Sequence, residues 1–275
     1  MTEPNDPLSR IAEALQRLAP AMKPATDWLT KPAYLWTGTE GRPIDSIEAP
    51  PLALLKGIDR QKVAACENIA RLAAGHAAHD MLLWGARGMG KSALVRAAVL
   101  AAQERAPGRL ALVQAGTDSL DTLPQLFAQL RKTERNFLVY IDDLGFAEDD
   151  THGPRHLRSW LDGGIEARPM NVRLAVTSNR RAIVPRQMSE QNDPINPRDA
   201  VDDRLALADR FGLTLGFHAC SQDEYLEIVR GYAAEHRLAW NDAEALEWAK
   251  RRGARSGRVA WHYVVELAGR AGKRL

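Results

Sequence analysis

The stretch Met81-Leu82-Leu83-Trp84-Gly85-Ala86-Arg87-Gly88-Met89-Gly90-Lys91-Ser92 carries the residue types that phosphate chemistry requires. An apolar run enters a loop holding Gly85, Gly88 and Gly90. The loop ends on Lys91-Ser92, and an Ala/Val/Leu-rich segment of helical character follows from Ala93 to Ala102. This is the G-x-x-x-x-G-K-[ST] spacing in a strand, loop and helix context. Glycines allow backbone N–H groups to turn inward, so Gly85, Ala86, Arg87, Gly88, Met89 and Gly90 can present donors to phosphate oxygens. The helix start adds its own free N–H groups and the positive end of its dipole. Lys91 is a point charge for the β- and γ-phosphates, and the Ser92 hydroxyl is a ligand for Mg²⁺. A Gly-rich turn that binds nothing is the plain alternative, and the flanking elements speak against it.

Two further polar clusters follow apolar runs. Phe137-Leu138-Val139-Tyr140-Ile141 reads as a strand covered on both faces and ends in Asp142-Asp143. Asp142 suits Mg²⁺ holding, and Asp143 is the candidate for polarising an attacking water. Adjacent carboxylates at a sheet edge are costly unless a cation neutralises them. Asn171 to Val176 reads as another strand and leads to Thr177-Ser178-Asn179. The neutral amide of Asn179 can orient water or touch a γ-phosphate without adding charge.

The elements that must position these groups alternate. Strands are expected at 81–84, 110–114, 137–141, 171–176 and 213–217, with helices between them, including Leu120 to Arg131 with Leu123, Phe127 and Leu130 on one face. Such alternation predicts an α/β fold with a parallel sheet, whose ligands gather at the carboxyl ends of the strands. Residues 52–74 begin the core, with a helix after Gly57-Ile58-Asp59. A helical segment around 156–161, an exposed polar excursion at 180–200 and a helix at 198–209 complete this part. After Phe217 the pattern is helical only. Ser221-x-x-Glu224 is a capping box, Asn241 or Asp242 can cap a second helix, and Ser256-Gly257 precedes a third. The expected organisation is a Pro-rich N-terminal arm at 1–51, a nucleotide-binding α/β domain at 52–218 and a small helical lid at 219–275. The arm holds a short amphipathic segment, with Ile11, Leu15 and Leu18 on one face. Its Trp28, Tyr34 and Trp36 favour packing on the main domain over partner binding.

Composition sets the class. The chain has 275 residues, 45% of them hydrophobic, and a net charge of +2, which gives no bulk field for nucleic acid or membrane. The two cysteines, Cys66 and Cys220, stand in no metal spacing and read as buried, reduced thiols. No apolar run approaches a membrane span, and the start lacks the regions of a signal peptide, so a cytoplasmic location is expected. His76 and His79 read as helix-end or surface residues. His152 and His156 lie near Asp149 and Asp150 and read as a solvated loop rather than a metal site. The basic tail of Arg270, Lys273 and Arg274 reads as a charged helix end.

Gly85 to Ser92, Tyr140 to Asp143 and Thr177 to Asn179 resemble, in order and spacing, the Walker A, Walker B and sensor-1 elements of AAA+ ATPases. Asp209-Arg210-Phe211-Gly212 resembles the segment bearing that superfamily's arginine finger. Ser256 to Trp261 is similar to its sensor-2 helix start, and Gly57-Ile58-Asp59 to its adenine-side segment. More narrowly, Leu83 to Gly88, Leu161 to Pro169, Thr177 to Arg181 and Ser256 to Trp261 are similar to an uncharacterised bacterial AAA+ family catalogued as a domain of unknown function. The resemblance runs from about residue 52 to the end. It implies ATP and Mg²⁺ as ligands, a five-stranded sheet in the order 5-1-4-3-2, a helical lid, and assembly as a homo-oligomeric ring or filament. It also implies Ile58 beside the base, Arg210 as a finger acting in trans with Arg204 as second choice, and Arg258 as the lid contact with Arg255 in reserve.

Most AAA+ ATPases have Asp-Glu where this chain has Asp142-Asp143. The shorter carboxylate points to slow turnover or switch-like use of ATP. Three readings follow: an ATPase acting on an unknown protein client, a DNA-linked adaptor resembling helicase loaders or transposition helpers, and a kinase. The helical C-terminal part and the lack of an obvious acceptor pocket speak against the last.

Overall fold

A computed structural model describes residues 25–145, 168–179 and 208–275, together with Pro7, Arg10, Ile11, Leu157 and Leu161. Along the chain run β1 (Ala33–Trp36), β2 (Gly41–Ile44), α1 (Asp59–Ala73), β3 (Met81–Gly85), α2 (Lys91–Arg105), β4 (Leu110–Ala115), α3 (Leu123–Leu130), β5 (Asn136–Ile141), β6 (Val172–Ser178), β7 (Leu213–Phe217), α4 (Gln222–Glu235), α5 (Asp242–Arg251) and α6 (Gly257–Arg270). Short 3₁₀ turns occupy Leu52–Leu54 and Thr117–Thr122.

The strands form one sheet in the order β2-β1-β4-β5-β6-β3-β7. All neighbouring pairs are parallel except the β1–β2 hairpin. Among the described residues the sheet has seven strands rather than the five expected, because the segment before Met81, where no strand was anticipated, contributes two. β1 adds in parallel to β4, pairing Ala33 with Leu112 and Trp36 with Ala115. β2 closes the edge and carries Pro43, which suits an edge strand because proline has no N–H for a second ladder.

Burial explains the sheet's composition. Every residue of β5 is buried, and alternate residues face two different cores. Leu138 and Tyr140 join Met81, Leu83, Leu110 and Leu112 against α1, α2 and the C-terminal helices. Phe137, Val139 and Ile141 join Leu82, Ala111 and Val113 against α3, Trp28, Tyr34 and Trp36. This is the period-two pattern of strands covered on both faces. Trp28 is the keystone of the second core. Its ring lies 4.8 Å from Tyr34, 6.5 Å from Trp36 and edge-on to Phe137 at 6.0 Å.

Asp80, buried just before β3, gathers the amino ends of three strands. Its carboxylate accepts from the Leu174 backbone N–H at 2.8 Å and Arg168 Nε at 2.8 Å, and its carbonyl accepts from the Leu213 N–H at 3.1 Å. The C-terminal helices begin on side-chain caps: a reciprocal Ser221–Glu224 box, Asn241 on the Glu244 N–H and Ser256 on the Val259 N–H. β6 extends through Ser178 instead of ending at Val176. Expected features at residues 12–18, 151–156, 180–200 and 198–207 lie outside the described residues, and with them Leu15, Leu18, His152, His156 and Arg204. Among the described residues no helix is long and apolar enough to cross a membrane. Among the same residues no group of three or more His, Cys, Asp and Glu could hold a metal. His76 and His79 are exposed, Cys66 is half-buried and Cys220 is buried.

Candidate nucleotide-binding site

The glycine loop leaves β3 under tight constraint. The Ala86 N–H donates to the Phe217 carbonyl at 2.8 Å, tying the loop to the end of β7. Gly85 has φ +125, and a Cβ there would overlap that carbonyl, so a side chain is excluded. Gly88, with φ +74, lies against the C-terminal helices. A Cβ on it would sit 2.9 Å from Ser256 Oγ and 3.0 Å from Arg258 Cβ. The Gly88 carbonyl accepts from the Arg258 N–H at 3.1 Å. Loop and α6 are therefore in backbone contact, and the start of α6 is held over the loop.

Lys91 opens α2 and is only 7% exposed. Its ammonium donates to the carbonyls of Gly85 at 2.8 Å and Ala86 at 2.9 Å and to Asn179 Oδ1 at 3.3 Å. Burial depresses its proton affinity against the opposing pull of Asp143 and Asp142, and the like charges of Arg258 and Arg87 add to the depression. Ser92 Oγ donates to Asp142 Oδ1 at 2.8 Å, and Thr177 Oγ1 donates to the same oxygen at 2.6 Å. Partial burial works against the Asp142 anion. Donors from Thr177 and Ser92, with the nearby Tyr140 hydroxyl and the charge of Arg96, outweigh it and hold the carboxyl below the usual range.

Asp143 follows with φ 52, a left-handed conformation uncommon for a side-chain-bearing residue. Its backbone N–H donates to Thr177 Oγ1 at 2.8 Å, and the Leu144 N–H donates to the Thr177 carbonyl at 2.7 Å. Thr177 thus clamps the turn after β5 onto β6 while orienting Asp142. The Asp143 side chain accepts a short hydrogen bond from Asn179 Nδ2.

These groups line one cleft of about 580 Å³ at the carboxyl edge of β3, β5 and β6. Arg87, Gly88, Met89, Gly90, Lys91 and Ser92 form one side, and Asp142, Asp143, Thr177 and Asn179 the next. Arg258 and Trp261 of α6 and Tyr232 of α4 close it, with Leu54, Leu55 and Ile58 at the apolar end. Of the site residues expected from sequence, the structure brings together these loop residues with Asp142, Asp143, Asn179, Ile58 and Arg258. Gly85 lies just behind the cleft as the strand's last residue. Arg210 is half-buried before β7 and does not line this cleft, and Arg255 is exposed and outside it as well.

Sequence reasoning assigned no role to Thr177, Arg96, Tyr232 or Trp261. Arg96 had a readable signal, since it lies four residues after Ser92 and so on the same helix face. Tyr232 and Trp261 meet edge to face at 5.3 Å across α4 and α6, a pairing that no local spacing reveals.

The residues fit a magnesium nucleotide. A hydroxyl and a carboxylate, hydrogen-bonded to each other, form the oxygen donor set a hard cation takes. Beside them, a lysine is satisfied only by two loop carbonyls and an amide. The cleft volume lies within the range of small-molecule sites.

Known structures share this architecture. The RuvB Holliday junction branch migration motor of Thermotoga maritima is 18% identical, with a TM-score of 0.51 over 81% of this chain and 66% of that one. The Aeropyrum pernix ORC1 protein in complex with DNA is 15% identical, with a TM-score of 0.53 over 83% of this chain and 66% of that one. Domain III of the Thermotoga maritima replication initiation protein DnaA is 12% identical, with a TM-score of 0.51 over 84% and 89%. The chain thus spans 66% of the length of the RuvB and ORC1 chains. No curated protein matches it. The likeness establishes an AAA+ fold. Residues 30–271 match the family described as "Protein of unknown function (DUF815)", and the chain belongs to that family.

Proposed function

We propose that the chain is an ATPase that binds Mg-ATP in this cleft and hydrolyses it slowly to drive a conformational or assembly switch on a protein client. One observation carries the reading: Lys91, Ser92, Asp142, Asp143, Asn179 and Arg258 converge on a single cleft around the glycine loop. The loop N–H groups and Lys91 would grip the β- and γ-phosphates, and Ser92 with Asp142 would hold the metal. Bound Mg²⁺ would neutralise charge on the phosphate oxygens. Asp143, steadied by Asn179, would orient the attacking water and accept its proton as the water oxygen bonds to the γ-phosphorus and ADP departs. Ile58, Leu54 and Leu55 would receive the base.

The backbone contact between Gly88 and Arg258 supports a lid role for α4–α6, about residues 219–275, because a phosphate bound on the loop would be felt at the start of α6. The sheet order β7-β3-β6-β5-β4 supports the arrangement that the AAA+ resemblance implies. Arg210 lies outside its own chain's cleft, which supports a role at a neighbour's γ-phosphate in a homo-oligomer. A DNA-linked variant of this switch is the second reading, favoured by fold neighbours named for branch migration, replication initiation and a complex with DNA. It expects DNA to stimulate turnover, with binding that weakens steeply with salt.

Calorimetric titration of Mg-ATP into wild type and Lys91→Ala tests the proposal. Saturable binding lost in the variant is expected. Absence of binding in the wild type, or equal binding in both, rejects it.

A further inference from the structure

The scheme leaves unused a cationic side chain of the cleft that stands beside the metal-binding pair. Arg96 lies on α2 one turn beyond Ser92, so the two share a helix face, and both line the cleft beside Asp142. The hydrogen bonds that Asp142 receives from Ser92 and Thr177 come from neutral hydroxyls, which orient the carboxylate and leave its charge in place. Arg96 supplies positive charge that acts on it. The Arg96 Nε is buried and has no hydrogen-bond partner among the described residues. A charged group left with an unmet donor persists where the surrounding field offsets the loss, and Asp142 supplies such a field.

We propose that Arg96 is a positioning residue of the metal site, a fixed counter-charge that keeps the Ser92–Asp142 pair from taking a divalent cation until a triphosphate is present. The inference rests on the nucleotide reading above. Two adjacent carboxylates at a sheet edge attract a free cation. A guanidinium beside them stays protonated and subtracts one unit of charge from that attraction. A triphosphate brings negative charge of its own and restores the balance in favour of the metal. Arg96 thereby makes metal entry conditional on nucleotide.

The test is a Mn²⁺ titration of nucleotide-free protein, with free ion counted by electron paramagnetic resonance, in wild type, Arg96→Met, Arg96→Gln and Arg96→Lys. Removing the charge is expected to tighten Mn²⁺ binding about tenfold in the Met and Gln variants, while the Lys variant stays at wild-type affinity. Folding is checked by near-ultraviolet circular dichroism. Should the Met variant misfold, the Gln and Lys variants carry the comparison. A folded, charge-neutral variant that binds Mn²⁺ no tighter than wild type overturns the proposal. Calorimetry of Mg-ATP on the same samples separates the two readings. Loss of nucleotide binding in wild type would remove the ATPase reading, while the Mn²⁺ comparison would still decide the role of Arg96.

Discussion

Asn179 donates its side-chain amide to the Asp143 carboxylate while its own carbonyl oxygen accepts from Lys91. The amide therefore links the lysine proposed to grip phosphate to the residue proposed to activate water. It presents a donor to one and an acceptor to the other, which neither aspartate nor leucine can do. Asn179→Ala is expected to leave Mg-ATP affinity within about threefold and to slow single-turnover hydrolysis about 10²-fold, the loss typical of one positioned donor. Asn179→Asp places a third carboxylate beside Asp142 and Asp143 and is expected to be slower still. An Asn179→Ala protein with wild-type turnover would mean that Asp143 needs no such support.

Arg210 sits just before β7, away from the cleft of its own chain. In the proposed scheme the γ-phosphate that this guanidinium meets belongs to another copy. Arg210→Ala is expected to bind Mg-ATP normally and to lose hydrolysis by about 10³-fold or more. Mixing it with Asp143→Asn should restore turnover, because mixed interfaces pair an intact finger with an intact Asp143. Two inactive proteins that stay inactive when mixed would argue against action in trans.

That the glycine loop, Asp142-Asp143 and Asn179 meet at one sheet edge was readable because each signal is local. A glycine pattern, a polar pair after an apolar run and an amide after a strand sit within a few residues of the strand that carries them. The hairpin of β1 and β2 was not, because its support is remote. Ala33 to Trp36 pairs with residues about eighty positions later, and Pro43 argues against a strand when read alone. β6 outruns its apolar pattern by two polar residues because Thr177 and Ser178 are still in the ladder, and Thr177 is also engaged by Asp142 and Asp143. Trp261 sat in a string that carried the family resemblance, yet its place in the cleft depends on how α6 meets α4.

The C-terminal helices carry an alkaline weakness. Burial pushes the Tyr225 phenol up to about 12. Tyr263 is also pushed up to about 12, first by burial and then by its hydrogen bond to Glu244, at 3.1 Å. Both lie above the value near 10 that an unfolded tyrosine shows. A raised folded value means that the native state holds the proton more tightly. The stabilisation is then complete below pH 10 and is lost as pH rises from 10 towards 12. Phenolate absorbance is expected to lag behind that of free tyrosine in this window and to appear together with loss of helix signal. Tyr263→Phe should move the transition to higher pH. Full phenolate formation centred on pH 10, with the helix signal intact, would contradict the burial of these rings.

Arg135 is expected to help hold the hairpin on the sheet. It precedes β5, is 7% exposed, and one guanidinium nitrogen donates to the carbonyls of Trp28 at 3.0 Å, Leu29 at 3.0 Å and Lys31 at 2.8 Å. A second nitrogen donates to the Leu110 carbonyl at 2.9 Å at the start of β4. These four hydrogen bonds tie the chain entering β1 to the starts of β4 and β5, and the Tyr34 hydroxyl and the Asp27 carboxylate also act on the guanidinium. Lysine cannot span them, because a point ammonium lacks the planar fork. Arg135→Met should therefore leave buried carbonyls unmet and destabilise the protein by about 3 kcal/mol. The loss should be local. Hydrogen exchange is expected to accelerate over residues 33–44, while β3 and α2 keep their protection. Mg-ATP affinity should hold, because neither β1 nor β2 touches the cleft. Arg135→Lys should fall between the two. Uniform acceleration across the whole sheet would instead make the hairpin an inseparable part of the core that bears the phosphate loop.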